Sequence, residues 1–139
     1  MQPLYTQTAE TVDFKLLINE NYAAWNTLKT EAAARFYLKD ATFFDIIPPV
    51  EGFMGWENFR TAVQKNIYDT VLSLQLIAND DLRVKHQGNV AWTTFTYSAP
   101  AKFKDGRTVE FNGRQTNVWE KRDRTWLIMH EHLSTPLSG

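Results

Sequence analysis

Asp45 is the side chain of this sequence best suited to accept a proton. It lies in the run Ala41-Thr42-Phe43-Phe44-Asp45-Ile46-Ile47, where strand alternation places it on one face with Phe43 and Ile47. Apolar neighbours keep water from a carboxylate and raise its pKa, and a general base at neutral pH needs a raised pKa. The alternative is structural, because the carboxylate can also accept hydrogen bonds from the backbone beside Pro48-Pro49.

Arg114 is the predicted anchor for a ligand, with Thr116 beside it. Arg114, Thr116 and Val118 share a strand face, because side chains two residues apart point the same way. If this face is the concave one, Arg114 is internal, and a buried guanidinium needs an anionic partner. Its planar fork suits a ligand carboxylate. A protein carboxylate can serve instead, and the candidates are Asp45, Glu110 and Glu131.

Two histidines alternate on the last predicted strand. Strict alternation puts one set of side chains on one face, namely Trp126, Ile128, His130, His132 and Ser134, and Leu127, Met129, Glu131 and Leu133 on the other. We expect His130 and His132 to form hydrogen bonds inside a pocket, and we expect His132 to take part in catalysis because imidazole titrates near neutrality. Satisfied core histidines are the alternative. Three histidines without a further ligand cluster argue against a zinc site.

Three aromatic side chains are candidates to contact the ligand. Tyr22 belongs to the apolar stripe of the first predicted helix and Trp56 to that of the third. Trp92 lies on a strand in which hydroxyls and aromatic rings alternate. Amphipathic spacing alone explains Tyr22 as plain core, and the sequence leaves open which face of the Trp92 strand lines the pocket.

Helical periodicity fills the first half of the chain. Apolar residues recur every three or four positions from about Thr8 to Leu28, Thr30 can cap a short second helix, and a third amphipathic helix begins at Trp56. Residues 41–47 are predicted to form a strand that ends at Pro48-Pro49, because proline cannot donate to a ladder.

Strand patterns fill the second half, from Val71 onward. Four turn signals interrupt them, namely Asn79-Asp80, Gln87-Gly88-Asn89, Asp105-Gly106 and Arg122-Asp123-Arg124. Asp105-Gly106 predicts a type I′ turn, in which both central residues have positive φ. Residues 1–139 are therefore predicted to form a single α+β domain. Three N-terminal helices would pack on a strongly curved antiparallel sheet, a cone-shaped barrel with an internal pocket.

Charge and composition exclude several classes of protein. Fifteen basic residues nearly balance sixteen acidic ones, so no broad positive field favours nucleic acid or anionic lipid. The absence of cysteine excludes disulfides, thiolate catalysis and Cys-ligated metals. No phosphate loop or metalloprotease motif occurs, and we expect neither a cofactor nor a metal. No signal-peptide pattern or long apolar run occurs, so a cytoplasmic protein without membrane contact is expected.

Two stretches carry a family pattern. The first is Asp40-Ala41-Thr42-Phe43-Phe44-Asp45 together with Gly55-Trp56-Glu57-Asn58-Phe59. It resembles the strand and the glycine-initiated helix of SnoaL-like polyketide cyclases and ketosteroid isomerases, in the nuclear transport factor two-like superfamily. The second comprises residues 114–119 and 126–134. It is similar to the last hairpin of SnoaL-like proteins and to the association domain of calcium/calmodulin-dependent kinase, which has an arginine in place of Asn117.

This resemblance implies a pocket-forming fold and places Asp45 at the position of the isomerases' proton-shuttling aspartate. The expected activity is that of a cofactor-free isomerase, cyclase or lyase that removes a proton beside a carbonyl. Arg114 and His132 would orient a carbonyl-bearing or anionic small molecule. A strand that is apolar on both faces is covered on both, which favours a homodimer or larger assembly. The alternative is a noncatalytic oligomerisation or effector-binding module, like the kinase association domain.

Overall fold

A computed structural model describes residues 12–137, beginning with the helices. Helix α1 spans Phe14–Trp25, a 3₁₀ helix spans Thr30–Phe36 and helix α2 spans Trp56–Asn66. A 3₁₀ turn at Tyr68–Thr70 leads into the sheet. None of the described helices is long and apolar enough to cross a membrane.

The helices follow the predicted periodicity with two differences at their ends. Helix α1 ends at Trp25 rather than Leu28, and the part of the predicted helix before residue 12 lies outside the described residues. Asp13 caps α1, because its Oδ1 accepts the backbone N–H of Leu16 at 3.0 Å. The second helix is of the 3₁₀ type, and its cap position is Lys29 rather than Thr30.

Eight strands form one sheet within the described residues. They are β1 Tyr37–Phe44, β2 Phe53–Met54, β3 Val71–Leu74, β4 Ile77–Ala78, β5 Arg83–Gln87, β6 Val90–Phe103, β7 Thr108–Arg122 and β8 Thr125–Ser134. The order is β2-β1-β8-β7-β6-β3, and β4 and β5 also pair with β6.

The α+β class is confirmed, with two corrections to the sheet. The sheet is mixed rather than antiparallel, because β1 runs parallel to β8. The chain passes through α2 and six other strands between these two partners, so no hairpin fixes their direction. The sheet also stays open, since no pairing joins β2 to β3 within residues 12–137.

The four predicted turns separate strands as expected, but the type I′ geometry lies at a different turn. Gly106 has a φ of 96°, whereas Asp105 does not have a positive φ. Backbone hydrogen bonds from Phe103 N to Arg107 O and from Gly106 N to Phe103 O close this loop, and Gly106 occupies its left-handed position. At the β7–β8 turn Asp123 and Arg124 both have positive φ, 49° and 72°, as a type I′ turn requires.

Alternation along the two longest strands determines the inner face of the sheet. The inward residues are Ala91, Thr93, Phe95 and Tyr97 on β6, and Gly113, Gln115, Asn117 and Trp119 on β7. Helix α1 packs onto this face with Phe14, Ile18, Tyr22 and Trp25. The hydrophobic core therefore lies between the helices and this side of the sheet.

A β-bulge interrupts the alternation on β8. Trp119 pairs with Ile128, whereas the preceding residue Val118 pairs with His130. Met129 is therefore the extra residue, and the side chains that follow it exchange faces relative to strict alternation.

Arg124→Gly tests the strain in the β7–β8 turn. A Cβ is crowded at the φ of 72° that Arg124 adopts, whereas glycine has no Cβ. We expect glycine to raise the free energy of unfolding by about 0.5–1 kcal/mol, net of its greater unfolded-state entropy. The melting temperature should rise by about 2–6 °C in thermal unfolding.

Gly106→Ala is the matched control for this prediction. Its φ is 96°, and an added Cβ would meet no atom within 4 Å, so only the backbone conformation is tested. It should lower the melting temperature by a comparable amount. An Arg124→Gly protein that melts below wild type would contradict the assignment of strain.

Candidate functional site

A cavity of about 250 Å³ lies between the helices and the inner face of the sheet. Aliphatic and aromatic side chains form most of its wall. Its polar lining residues other than tryptophan are Asn21, Tyr22, Asp45, Asn66, Tyr68, Tyr97, Gln115 and Glu131. Among the described residues, no lysine, arginine or histidine lines it. The cavity is thus largely apolar, with two carboxyl groups and no cation.

Glu131 enters this cavity because of the β8 bulge. Ile128 is fully buried, and strict alternation would bury His130 next. The extra residue Met129 turns Glu131 inward instead, where only 5 % of it is exposed. Strict alternation along β8 predicts Glu131 on the face opposite the pocket, and no feature of the β8 sequence indicates the bulge.

Tyr37 supplies the first hydrogen bond to Glu131. Its hydroxyl oxygen accepts from Asn21 Nδ2 at 3.2 Å and from Trp25 Nε1 at 2.9 Å. With both lone pairs occupied, the hydroxyl can only donate. It donates to Oε1 of Glu131 at 2.8 Å.

Gln115 supplies a second hydrogen bond to the same oxygen. Its Oε1 accepts from the Tyr22 hydroxyl at 2.6 Å, which directs its Nε2 away from Tyr22. That Nε2 donates to Asn117 Oδ1 at 3.0 Å and to Glu131 Oε1 at 3.2 Å. Oε1 of Glu131 therefore accepts two hydrogen bonds, one from β1 and one from β7.

The protonation of Glu131 follows from this arrangement. Burial raises the pKa of Glu131 to about 8, the hydrogen bond from Tyr37 opposes the rise, and the charge of Asp45 adds to it. The side chain is thus mainly neutral at pH 7 and carries one proton. Because Oε1 already accepts two hydrogens, that proton lies on Oε2. Oε2 is the atom with which Glu131 can donate to a ligand in the cavity.

Asp45 supplies the second carboxyl group, one residue beyond the end of β1. Burial raises the pKa of Asp45 to about 6, although hydrogen bonds from the backbone of Ile47 and Ile46 oppose the rise. The bond from Ile47 N to Oδ1 measures 3.2 Å. Asp45 therefore both holds the chain after β1 and lines the cavity as a carboxylate at neutral pH.

Tyr97 contributes a hydroxyl that has no protein partner among the described residues. It lines the cavity over Gly113, where an added Cβ would lie 2.6 Å from the hydroxyl oxygen. Burial raises the pKa of Tyr97 to about 12, helped by the charges of Asp45 and Glu131. A buried hydroxyl without a partner is rare in folded proteins, so this group is available to a ligand.

The prediction that Arg114 and Thr116 lie inside is wrong. On β7 the inward positions are taken by Gly113 and Gln115, so Arg114 and Thr116 point to the outer face. Arg114 is exposed, and its Nε donates to Ser134 Oγ at 3.1 Å. The sequence shows which residues of β7 share a face. The polar side chains that reach the inner face are the neutral amides of Gln115 and Asn117.

The pocket prediction is also wrong for His130, His132 and Trp92, which all belong to the outer face. The bulge turns both histidines outward, where Thr42 Oγ1 and His130 Nδ1 lie 2.6 Å apart. The ring of Phe44 contacts both imidazoles edge-on, with centroids 5.4 and 5.5 Å away. Trp92 remains 43 % exposed.

The other two aromatic candidates are buried, but only one lines the cavity. Tyr22 does so, beside Gln115. Trp56 does not, because it stacks on Tyr37 with centroids 4.9 Å apart and belongs to the core. No group of three histidine, aspartate or glutamate side chains suited to a metal occurs within residues 12–137.

Comparison with known proteins places this chain in a family. A family model described as the SnoaL-like domain matches residues 15–138. The chain belongs to the SnoaL-like domain family. The resemblance of residues 40–59 and 114–134 to this family is thereby confirmed. No curated protein matches the SnoaL-like chain.

Solved structures share the fold of this SnoaL-like domain. A nuclear transport factor 2-like superfamily protein from Salmonella enterica is 22 % identical, with 87 % of each chain covered and a TM-score of 0.73. A candidate calcium/calmodulin-dependent protein kinase II association domain from Xanthomonas campestris is 21 % identical, with 91 % of this chain and 87 % of that chain covered and a TM-score of 0.77. A candidate scytalone dehydratase from Novosphingobium aromaticivorans is 13 % identical, with 97 % and 89 % covered and a TM-score of 0.81. At these identities the likeness concerns the fold alone.

Glu131→Gln tests whether the buried acid is neutral. The amide has the same shape, can accept at Oε1 and donate from Nε2, and cannot ionise. The pKa of Glu131 in the folded chain, about 8, lies above its ordinary 4.5. The stability it provides is therefore complete below about pH 4.5 and is lost as the pH rises through 8.

Urea unfolding of wild type and Glu131→Gln measures this effect. We expect wild type to lose up to about 1.4 kcal/mol per pH unit relative to the variant between pH 5 and 8. The tyrosines and Asp45 that face Glu131 are the same in both proteins, so the difference isolates one group. The comparison at pH 5 is the internal control, and parallel pH profiles would show that Glu131 is ionised in the folded state.

Proposed function

We propose that the SnoaL-like domain is a cofactor-independent acid–base enzyme, an isomerase, cyclase or lyase acting on a small molecule. One observation carries this proposal. The carboxylate of Asp45 and the protonated carboxyl of Glu131 line the same small apolar cavity. Two titratable groups whose environments separate their pKa values are typical of an acid and a base that work together.

The proposed base is Asp45, which removes a proton from a carbon beside a carbonyl group. The resulting enolate oxygen receives hydrogen bonds from Oε2 of Glu131 and from the Tyr97 hydroxyl. In an isomerase, the neutral Asp45 then returns the proton to another carbon of the substrate. In a lyase, Glu131 gives its proton to a departing hydroxyl group, which leaves as water.

The protonation states suit this division of roles at neutral pH. With a pKa of about 6 Asp45 is mainly ionised, and with a pKa of about 8 Glu131 is mainly protonated. The main form of the protein between pH 6 and 8 is thus the reactive one. Two of the similar structures are candidate dehydratases, and dehydration is a reaction that such a pair supports.

Exchange of α-protons in 2-tetralone tests the proposed base. We expect wild type to accelerate deuterium uptake by this small apolar ketone in D₂O, followed by NMR. Asp45→Asn should lower the rate by about 10²–10⁴-fold, the usual contribution of a positioned base. Glu131→Gln should lower it less, because the amide still donates a hydrogen bond but cannot give a proton.

The pH profile and a control variant complete this test. Activity should fall below about pH 6, where Asp45 becomes protonated, and above about pH 8, where Glu131 loses its proton. Arg114→Ala lies on the outer face and should exchange at the wild-type rate. Equal rates for wild type and Asp45→Asn would remove the enzyme proposal for ketones and favour the noncatalytic binding module.

We also propose that the outer face of the sheet joins two copies of the chain. The strand register places one row of side chains across it, Trp92, Val118, His130, Thr42 and Met54. Phe44, Trp92 and Met54 are 43 %, 43 % and 75 % exposed. Exposed apolar side chains of this size along one sheet face favour association, and a two-fold dimer would cover them with their own counterparts.

Trp92→Glu tests this interface. A carboxylate within the row would be buried against the apolar side chains of the second copy, so we expect wild type to be a dimer and the variant a monomer by light scattering. Leu16→Glu is the control, because Leu16 is 53 % exposed on α1, away from the sheet face, and its replacement should leave a dimer. A monomeric wild type would refute the proposed dimer.

A further inference from the structure

We infer that the cavity selects a neutral carbonyl compound with an apolar tail, and that Ala99 and Ala101 set the length of the tail. The orientation of the carbonyl group rests on the proposed function. The selection by charge rests on the lining of the cavity and on the protonation states of Asp45 and Glu131. The length of the tail chamber, the apolar space beside Ala99, Ala101 and Phe103, rests on the lining alone.

The cavity has a polar end and an apolar end along β6. Tyr97 marks the polar end, because it lines the cavity together with Asp45 and Glu131, whose charges raise its pKa. Beyond it the inward residues of β6 that line the cavity are Ala99, Ala101 and Phe103. Ala101 lies about 13 Å from Tyr97 along the strand, at about 3.3 Å per residue. A ligand whose polar group meets Tyr97 would therefore place its remainder against apolar wall.

The two alanines provide the space at the apolar end. Both are 3 % exposed, and they lie between the large inward side chains of Tyr97 and Phe103. Ala99 pairs with Phe111 across the sheet, so one methyl group faces one ring there. A larger side chain at Ala101 would project into the chamber, whereas the neighbouring Lys102 is exposed and points to the other face.

Charge decides which polar group fits the other end. A ligand carboxylate would lie beside the Asp45 carboxylate with no lysine, arginine or histidine in the lining to pair with it. A ligand ammonium would meet Asp45 favourably but would face the donor proton on Glu131 Oε2. A carbonyl oxygen accepts from both Glu131 and the unpartnered Tyr97 hydroxyl. Two donors beside one carboxylate therefore favour the neutral carbonyl.

Calorimetric titration with three compounds of similar skeleton tests the charge selection. The probes are 4-phenyl-2-butanone, 3-phenylpropanoate and 3-phenylpropylamine at pH 7.5. We expect the ketone to bind at least tenfold more tightly than either charged compound. If the carboxylate or the amine binds wild type most tightly, or if no ketone binds, the inference is overturned.

A series of 2-alkanones from butanone to octanone tests the tail chamber. In wild type the affinity should rise by about fourfold per methylene, the value of burying one such group. In Ala101→Leu the gain should stop at a shorter chain, while the affinity for butanone changes less than threefold. Lys102→Leu adds the same side chain one residue away on the outer face, and it should reproduce the wild-type series.

The binding titrations separate this inference from the proposed function. Ketones that bind with the expected charge and length preferences, but exchange no protons, would leave the inference standing and remove the enzyme. Catalysed exchange together with a length dependence that Ala101→Leu leaves unchanged would keep the enzyme and overturn the tail chamber.

Discussion

The carboxyl group of Glu131 is the point at which four elements of this fold meet. Its Oε1 accepts one hydrogen bond from the Tyr37 hydroxyl on β1 and one from the Gln115 amide on β7. The Tyr37 hydroxyl in turn accepts hydrogen bonds from two donors on helix α1. A carboxylate at this position would have no cation near it among the described residues, and the burial of an unpaired charge is costly. The network therefore holds a neutral acid, and the acid is neutral because its burial outweighs the opposing hydrogen bond from Tyr37.

The same constraint defines the chemistry available in the cavity. Because both hydrogen bonds reach one oxygen, the remaining proton has a single position, and its direction is set by Tyr37 and Gln115 rather than by a ligand. Asp45 differs in that its hydrogen bonds come from the backbone N–H groups of Ile46 and Ile47, and its pKa rises only to about 6. The absence of a side chain at Gly113 lets Tyr97 complete the polar end. An acid, a base and a neutral donor thus converge without a metal ligand cluster in residues 12–137.

Local patterns predicted much of the fold and little of the site. The third helix and the four turns followed from periodicity and from glycine, proline and aspartate positions, which are properties of neighbouring residues. Asp45 was found because a carboxylate among apolar residues is conspicuous in one segment. The inward face of β7 was misassigned, since period-two alternation shows which residues share a face but not which face is covered. Arg114 was expected inside because a ligand carboxylate would suit its guanidinium. Gln115 and Tyr97 were not identified as site residues, because nothing in their own segments distinguishes them from other strand residues.

The bulge at Met129 has a consequence for how this family member can change. Before the bulge β8 turns Ile128 inward, and after it β8 turns Glu131 inward and His130 and His132 outward. Deletion of Met129 would restore strict alternation and leave both sets of side chains on their present faces, whereas a regular strand that kept Met129 would exchange them. The strand therefore carries two alternative reagents on opposite sides, a carboxylic acid and a pair of imidazoles, separated by one residue of register. Loss of the bulge with Met129 retained would therefore replace one kind of proton donor at the cavity by the other.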